Sequence, residues 1–147
     1  HFPEWKWIIV GEGEERRTIE ETLKRENLTP YVSLAGNQKD VDAYYRKAGI
    51  YVMTSYHEGL PMTLLEAKAF ALPIDCKTGP RDIVTDGVNG KLIEPFDTNA
   101  MADALGALMK NKEQRVSWSA HAYDDIEKFS LERVMEKWEE MLKKIKR

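Results

Sequence analysis

The sequence predicts an α/β domain of three layers, a parallel sheet with helices on both faces. Two observations carry that expectation. Short apolar, β-prone runs alternate with segments of helical periodicity from Trp5 to Lys110, the pattern that builds strand–helix–strand crossovers. Glycines gather at the ends of those runs, where open parallel sheets place their ligand-binding loops.

Taken in order, residues 5–10 form the first apolar run, ending at Gly11-Glu12-Gly13 and leading into a charged helical segment over residues 14–26. Residues 32–34 are the second expected strand, followed by a helix over 41–47. Residues 50–54 are the third, followed by an almost wholly apolar helix over 61–71. Residues 92–93 are the fourth, followed by a helix over 99–110. Residues 75–90, with Gly79, Pro80, Gly87 and Gly90, read as loop. Beyond Lys112 the pattern is helical to the end. Ser130 suits an N-cap, and Leu131, Val134, Met135, Trp138, Met141, Leu142 and Ile145 form a stripe expected to pack on the body.

Bulk properties narrow the function. At 147 residues the chain suffices for one compact domain and falls short of two ordinary ones. Hydrophobic residues are 42%, charged residues 32% and the formal net charge is -3, with no basic excess to suit nucleic acid. The lone Cys76 cannot form an internal disulfide and fits a reducing compartment, so a cytoplasmic location is expected. The terminal Lys143-Lys144-Ile145-Lys146-Arg147 has two readings. It complements the helix macrodipole, the ordinary role of such a run, or it touches an anionic membrane as a peripheral contact. No apolar stretch approaches the roughly 20 residues of a spanning helix. The opening residues have no signal-peptide pattern and lead almost at once into a strand, as expected for part of a longer chain. His1, His57, His121 and Cys76 lack metal-ligand spacing, so no metal is expected. P-loop and nucleophile-elbow patterns are missing, which removes two common α/β chemistries. Trp5, Trp7, Trp118 and Trp138 lie in strand or helix patterns and are expected to serve packing.

The segment Tyr56-His57-Glu58-Gly59-Leu60-Pro61-Met62-Thr63-Leu64-Leu65-Glu66-Ala67 is the most informative. Pro61 presets φ for the first turn of a helix. The N–H groups of Met62, Thr63 and Leu64 would then lack intrahelical partners and face an anion such as a diphosphate. Gly59 permits a close backbone approach or positive φ. Because the helix is apolar on most sides it is expected to be buried, which makes Glu66 the anomaly: a desolvated carboxylate needs a ligand or a partner. A ribose diol and a structural Lys or Arg fit equally well. His57 beside Glu58 is more ordinarily a solvated or packing residue than a sugar contact.

Glu58 and Glu66, separated by seven residues with Gly-Leu-Pro after the first, resemble the E-x7-E signature of retaining GT-B glycosyltransferases of family 4, the glycosyl transferases group 1. Val10-Gly11-Glu12-Gly13, Leu34-Ala35-Gly36, and Thr78-Gly79-Pro80-Arg81-Asp82-Ile83-Val84 with Asp86-Gly87-Val88-Asn89-Gly90 follow in the family's order. The resemblance implies a Rossmann-like domain, residues 1–147 being the C-terminal, donor-binding half of a GT-B fold, with the N-terminal acceptor domain and first strand outside the chain. It implies that Glu66 binds ribose hydroxyls. Backbone amides of Gly59, Leu60, Pro61, Met62, Thr63 and Leu64 are implied to surround the diphosphate, Pro61 lending its position only. Glu58 lies by the transferred sugar as the catalytic candidate. The resemblance further implies that the nucleotide base lies against the loop that starts at Gly36 and Asn37, with Gly11 and Gly13 nearby, although Gly-x-Gly turns are common at strand ends.

Three departures accompany the agreement. The strand bearing the family's basic phosphate-binding residues is absent, Ile74 runs directly into Asp75 as though a central strand were cut short, and Asp82 replaces a usual Glu. The implied reaction moves a hexose or N-acetylhexosamine from a UDP-sugar to a glycan or lipid-linked acceptor, with the sugar nucleotide as substrate and no cofactor. A UDP donor is suggested by Asp75-Cys76-Lys77-Thr78-Gly79-Pro80, which resembles surface-polysaccharide members. The alternatives are a sugar-nucleotide epimerase of the same fold and a Rossmann-like interaction module without nucleotide. The chain by itself is expected not to turn over.

Overall fold

The structure is a computed structural model that describes residues 2–55, 60–68, 70, 73–75 (backbone), 82–94, 96–124 and 126–145. The chain divides into two compact units, His1–Lys47 and Ala48–Arg147.

The first unit contains strand β1 (Trp7–Val10), helix α1 (Arg16–Arg25), strand β2 (Val32–Gly36) and helix α2 (Asp42–Lys47). β1 and β2 are parallel, Trp7 opposite Val32, and a register shift after Ile9 brings Val10 opposite Gly36. A helix joining parallel strands must stop sharply to return the chain, and α1 does so in a Schellman turn. Asn27 takes φ 55°, its N–H donates to the Lys24 carbonyl at 3.2 Å and the Leu28 N–H to that of Leu23 at 2.8 Å. Asparagine is the residue after glycine best suited to that left-handed position. Asp40 caps the next helix, accepting from the Ala43 N–H at 3.2 Å, and Tyr45 is buried.

The second unit contains β3 (Tyr51–Val52), α3 (Met62–Lys68), β4 (Pro73–Asp75), β5 (Lys91–Leu92), α4 (Thr98–Lys110), α5 (Lys112–Ala120), a 3-10 turn at Ile126–Phe129 and α6 (Leu131–Ile145). Its strands run in the order β3-β4-β5. All pairs are parallel, with Val52 opposite Ile74 and Ile74 opposite Lys91. The short run into Asp75 is thus a three-residue middle strand. The expected α/β class with parallel pairing holds.

Two apolar clusters organise this unit. Met53, Leu64, Ile83 and Val84 tie α3 to the turn that follows residue 82. Ile93, Leu105, Leu108 and Trp118 join α4 and α5 behind β5. Asp97 caps α4 through the Ala100 N–H at 2.9 Å, and Asn111 caps α5 through that of Gln114 at 2.9 Å. The Arg115 guanidinium donates to the carbonyls of Leu108 and Met109 in the last turn of α4, satisfying acceptors a helix end leaves open.

Two packing expectations are corrected. α6 forms as read, with Ser130 Oγ accepting from the Arg133 N–H at 3.3 Å, but its stripe is exposed along its whole length, Trp138 at 54%. Periodicity shows that a helix has an apolar face; it carries no information about what covers that face. Trp7 is likewise exposed, whereas Trp118 is buried as expected.

Candidate functional site

In the first unit, parallel pairing brings Gly11-Glu12-Gly13 and Gly36-Asn37 to the same, C-terminal end of β1 and β2. Gly11 has φ 133° and Gly36 φ 68°, and the Gly11 N–H donates to the Gly36 carbonyl at 2.9 Å. Gly36 is buried. A Cβ there would stand 3.3 Å from Glu12 Oε2 and 3.7 Å from Arg16 Nη1, so both conformation and space select glycine. Gly13 has open space around its Cα, and Asn37 is exposed.

Arg16 stands beside this edge, donating to Glu12 Oε2 at 2.7 Å and Glu20 Oε1 at 2.9 Å. The Glu20 hydrogen bond first, then the Glu12 charge, raises the guanidinium pKa above its ordinary value. A raised pKa on a base gives stability that is present below the unfolded value and lost only as pH rises past the folded one. Arg16, like any arginine, is charged throughout the neutral range.

In the second unit, β3 leads towards α3. Glu58 and Gly59 lie outside the described residues. Leu60 and Met62 are exposed and Pro61 is buried. The Pro61 carbonyl accepts from the N–H groups of Leu64 at 3.0 Å and Leu65 at 3.3 Å, so α3 starts one residue after Pro61. The expectation of an open Leu64 N–H is corrected, because a tight first turn already uses it.

The main correction concerns charge. Glu66 is exposed, together with Thr63, while Leu64 and Ala67 are fully buried and Lys68 is 1% exposed. At about 100° per residue, Leu64, Ala67 and Lys68 share one face, Glu66 lies opposite it and Thr63 at its margin. The desolvation argument made for Glu66 thus applies to Lys68. Glu66 meets solvent on the face that also carries Thr63, whose Oγ1 lies 3.1 Å from Tyr51 Oη. Tyr51 and Lys68 are the two residues the sequence reading passed over. Alternation in the strand offers a signal for Tyr51, and the spacing of four from Leu64 offers one for Lys68.

Among the described residues no group of His, Cys, Asp and Glu could hold a metal ion, and no helix is long and apolar enough to cross a membrane.

The model of the family glycosyl transferases group 1 matches residues 1–125. The chain belongs to this family. Among group 1 relatives, the amylovoran biosynthesis glycosyltransferase AmsD of Erwinia amylovora is 34% identical over 145 residues, covering 97% of the chain and 41% of AmsD. The poly(ribitol-phosphate) alpha-N-acetylglucosaminyltransferase of Staphylococcus aureus (strain COL) is 33% identical over 137 residues, 90% of the chain and 28% of that protein. The crystal structure of a S. aureus TarM mutant with fondaparinux, alpha-GlcNAc-glycerol and UDP superposes with a TM-score of 0.84 at 32% identity, over 90% of the chain and 28% of TarM. The chain therefore spans less than half the length of these group 1 relatives.

Proposed function

We propose that the chain is the donor-binding half of a retaining glycosyltransferase of family 4. In this reading the whole protein transfers a hexose or N-acetylhexosamine from a UDP-sugar to a glycan or lipid-linked acceptor in surface-polysaccharide synthesis. The observation that carries it is the outward face of α3, where Thr63 and Glu66 are exposed side by side while Leu64, Ala67 and Lys68 hold the opposite face inward. An exposed carboxylate on a held helix suits two ribose hydroxyls, each donating to the ionised group. A hydrogen bond of that kind contributes roughly 1.5–3 kcal/mol when water is displaced.

The remaining roles come from the family resemblance. The N–H groups of Gly59, Leu60, Met62 and Thr63 take the diphosphate, since that of Leu64 is already engaged. Glu58 lies beside the transferred sugar and stabilises positive charge developing at its anomeric carbon. Gly11, Gly13, Gly36 and Asn37 let the main chain approach the nucleotide. UDP and alpha-GlcNAc-glycerol accompany the TarM mutant in its crystal, which supports the donor assignment. The relatives' names support a surface polymer as acceptor. The lone Cys76 fits a reducing compartment, and we place the reaction in the cytoplasm.

The test is calorimetric titration with UDP and, separately, GDP, repeated on Glu66→Ala at matched salt. UDP should bind in preference to GDP, and the variant should bind UDP at least about tenfold more weakly, the scale of one charged hydrogen bond being the lower bound for the two it loses. Binding of neither nucleotide would overturn the donor assignment in favour of an interaction module.

A further inference from the structure

The face of α3 opposite Glu66 holds a charged group for which the proposed chemistry has no use. Lys68 is 1% exposed, and taking an ammonium out of water costs several kcal/mol unless it is bonded. Its Nζ donates to the Ile83 carbonyl at 2.8 Å and the Asp124 carbonyl at 3.3 Å, 15 and 56 residues further along the chain. A methionine has nearly the length to fill the same space without that desolvation. What the ammonium adds is a tie between α3, the turn at residues 82–85 and the segment after α5.

The tie acts on rotation. Lys68 follows Glu66 by two residues, roughly 200° around a helix, so fixing Lys68 inward fixes Glu66 outward. Apolar contacts alone constrain rotation weakly here, because Met62, Leu65 and Phe70 offer the helix a second apolar face. Two directional hydrogen bonds single out one orientation. Ile83, the nearer acceptor, packs in the same cluster as Leu64, so turning α3 would break both kinds of contact together.

We propose that Lys68 is a positioning residue of the donor site, fixing α3 against the 82–85 turn so that Glu66 presents its carboxylate to the ribose. The inference rests on the donor-site reading of Glu66. Lys68→Met and Lys68→Gln, each made in the parent chain and in Glu66→Ala, are titrated with UDP and melted thermally. Lys68→Met should weaken UDP binding about tenfold in the parent, the scale of one charged hydrogen bond misplaced. It should add no further weakening in Glu66→Ala, while shifting the melting temperature equally in both. Lys68→Gln keeps an N–H donor and should fall between; it carries the same comparison where Lys68→Met does not fold. Parent-like UDP binding by the folded variant, or an equal weakening in both backgrounds, would overturn the proposal. Amide hydrogen exchange without ligand supplies a second arm. Lys68→Gln should lose protection in α3 and at 82–85 together, with α4 unchanged, and unaltered α3 protection would overturn the tie. If the parent binds no UDP, the donor reading fails, and the exchange arm still decides whether Lys68 holds the helix.

Discussion

The turn at residues 85–90 allows a direct comparison of a buried neutral group with an exposed charged one. Asn89 is 1% exposed; its Oδ1 accepts from the Thr85 N–H at 2.8 Å and its Nδ2 donates to the His121 carbonyl at 3.4 Å. Asp86, on the same turn, accepts from the Leu92 N–H at 2.8 Å and from Lys91 Nζ at 3.0 Å, with both side chains more than 40% exposed. Asn89→Ala removes one good and one long hydrogen bond, about 1–2 kcal/mol together, and strands a partly buried N–H. It also leaves a void of three heavy atoms, adding about 1 kcal/mol. The sum is about 3 kcal/mol. Asp86→Ala loses a half-exposed ion pair, about 0–1 kcal/mol, and a hydrogen bond that water replaces. At about 2–4 °C per kcal/mol for a chain of this size, Asn89→Ala should melt roughly 10 °C below the parent and Asp86→Ala about 3 °C below, by circular dichroism at matched pH and salt. If Asp86→Ala proved the more costly, charge rather than burial would govern the turn and the reasoning would fail.

Four other substitutions follow from the same geometry. Gly36→Ala combines φ 68° with a 3.3 Å approach to Glu12 Oε2 and should cost about 1–2 kcal/mol in urea unfolding, while Gly13→Ala, with open space, costs under about 0.5; equal costs would refute the assignment of strain. Phe96 has φ 65° and is 82% exposed. Phe96→Gly should raise stability by about 0.5–1 kcal/mol, the relieved strain less the added unfolded-chain entropy, and a lower melting point would show that the ring's contacts outweigh the strain. Trp138→Ser on the exposed α6 stripe should leave stability within about 0.5 kcal/mol and reduce self-association by light scattering; a large drop in melting temperature would mean the stripe is packed.

The alternation of runs reveals the order of elements, and errors concentrate where pairing partners set the ends. The run at 50–54 yields only Tyr51–Val52 as ladder, because a strand lasts only as long as its neighbour and β4 has three residues. Caps were legible where a short polar side chain precedes the periodic pattern, as at Ser130. The double capping by Asn111, whose N–H closes α4 on the Ala107 carbonyl while its side chain opens α5, and the Asn27 turn depend on the helix endings and are hard to see beforehand. Glu58 and Gly59 are legible in the sequence as part of the E-x7-E segment and lie outside the described residues.

The exchange of Glu66 for Lys68 has a physical cause that extends beyond this helix. An amphipathic helix announces its inward face, but α3 is apolar nearly all round, so its sequence offers one set through Leu64 and Ala67 and another through Met62 and Leu65. Hydrophobicity ranks these faces almost equally, and the charged residues then decide between them. Burying either charge costs a similar desolvation energy, but the compensation differs. A lysine has a four-carbon stem and three donors, enough to reach backbone carbonyls in neighbouring segments, here those of Ile83 and Asp124. A glutamate has a shorter stem and only accepts, so it needs N–H donors, which strands and helices have already engaged in their own ladders. The face that buries the lysine is therefore the cheaper one, and it leaves the carboxylate outside, where a ligand's hydroxyl groups can supply the donors.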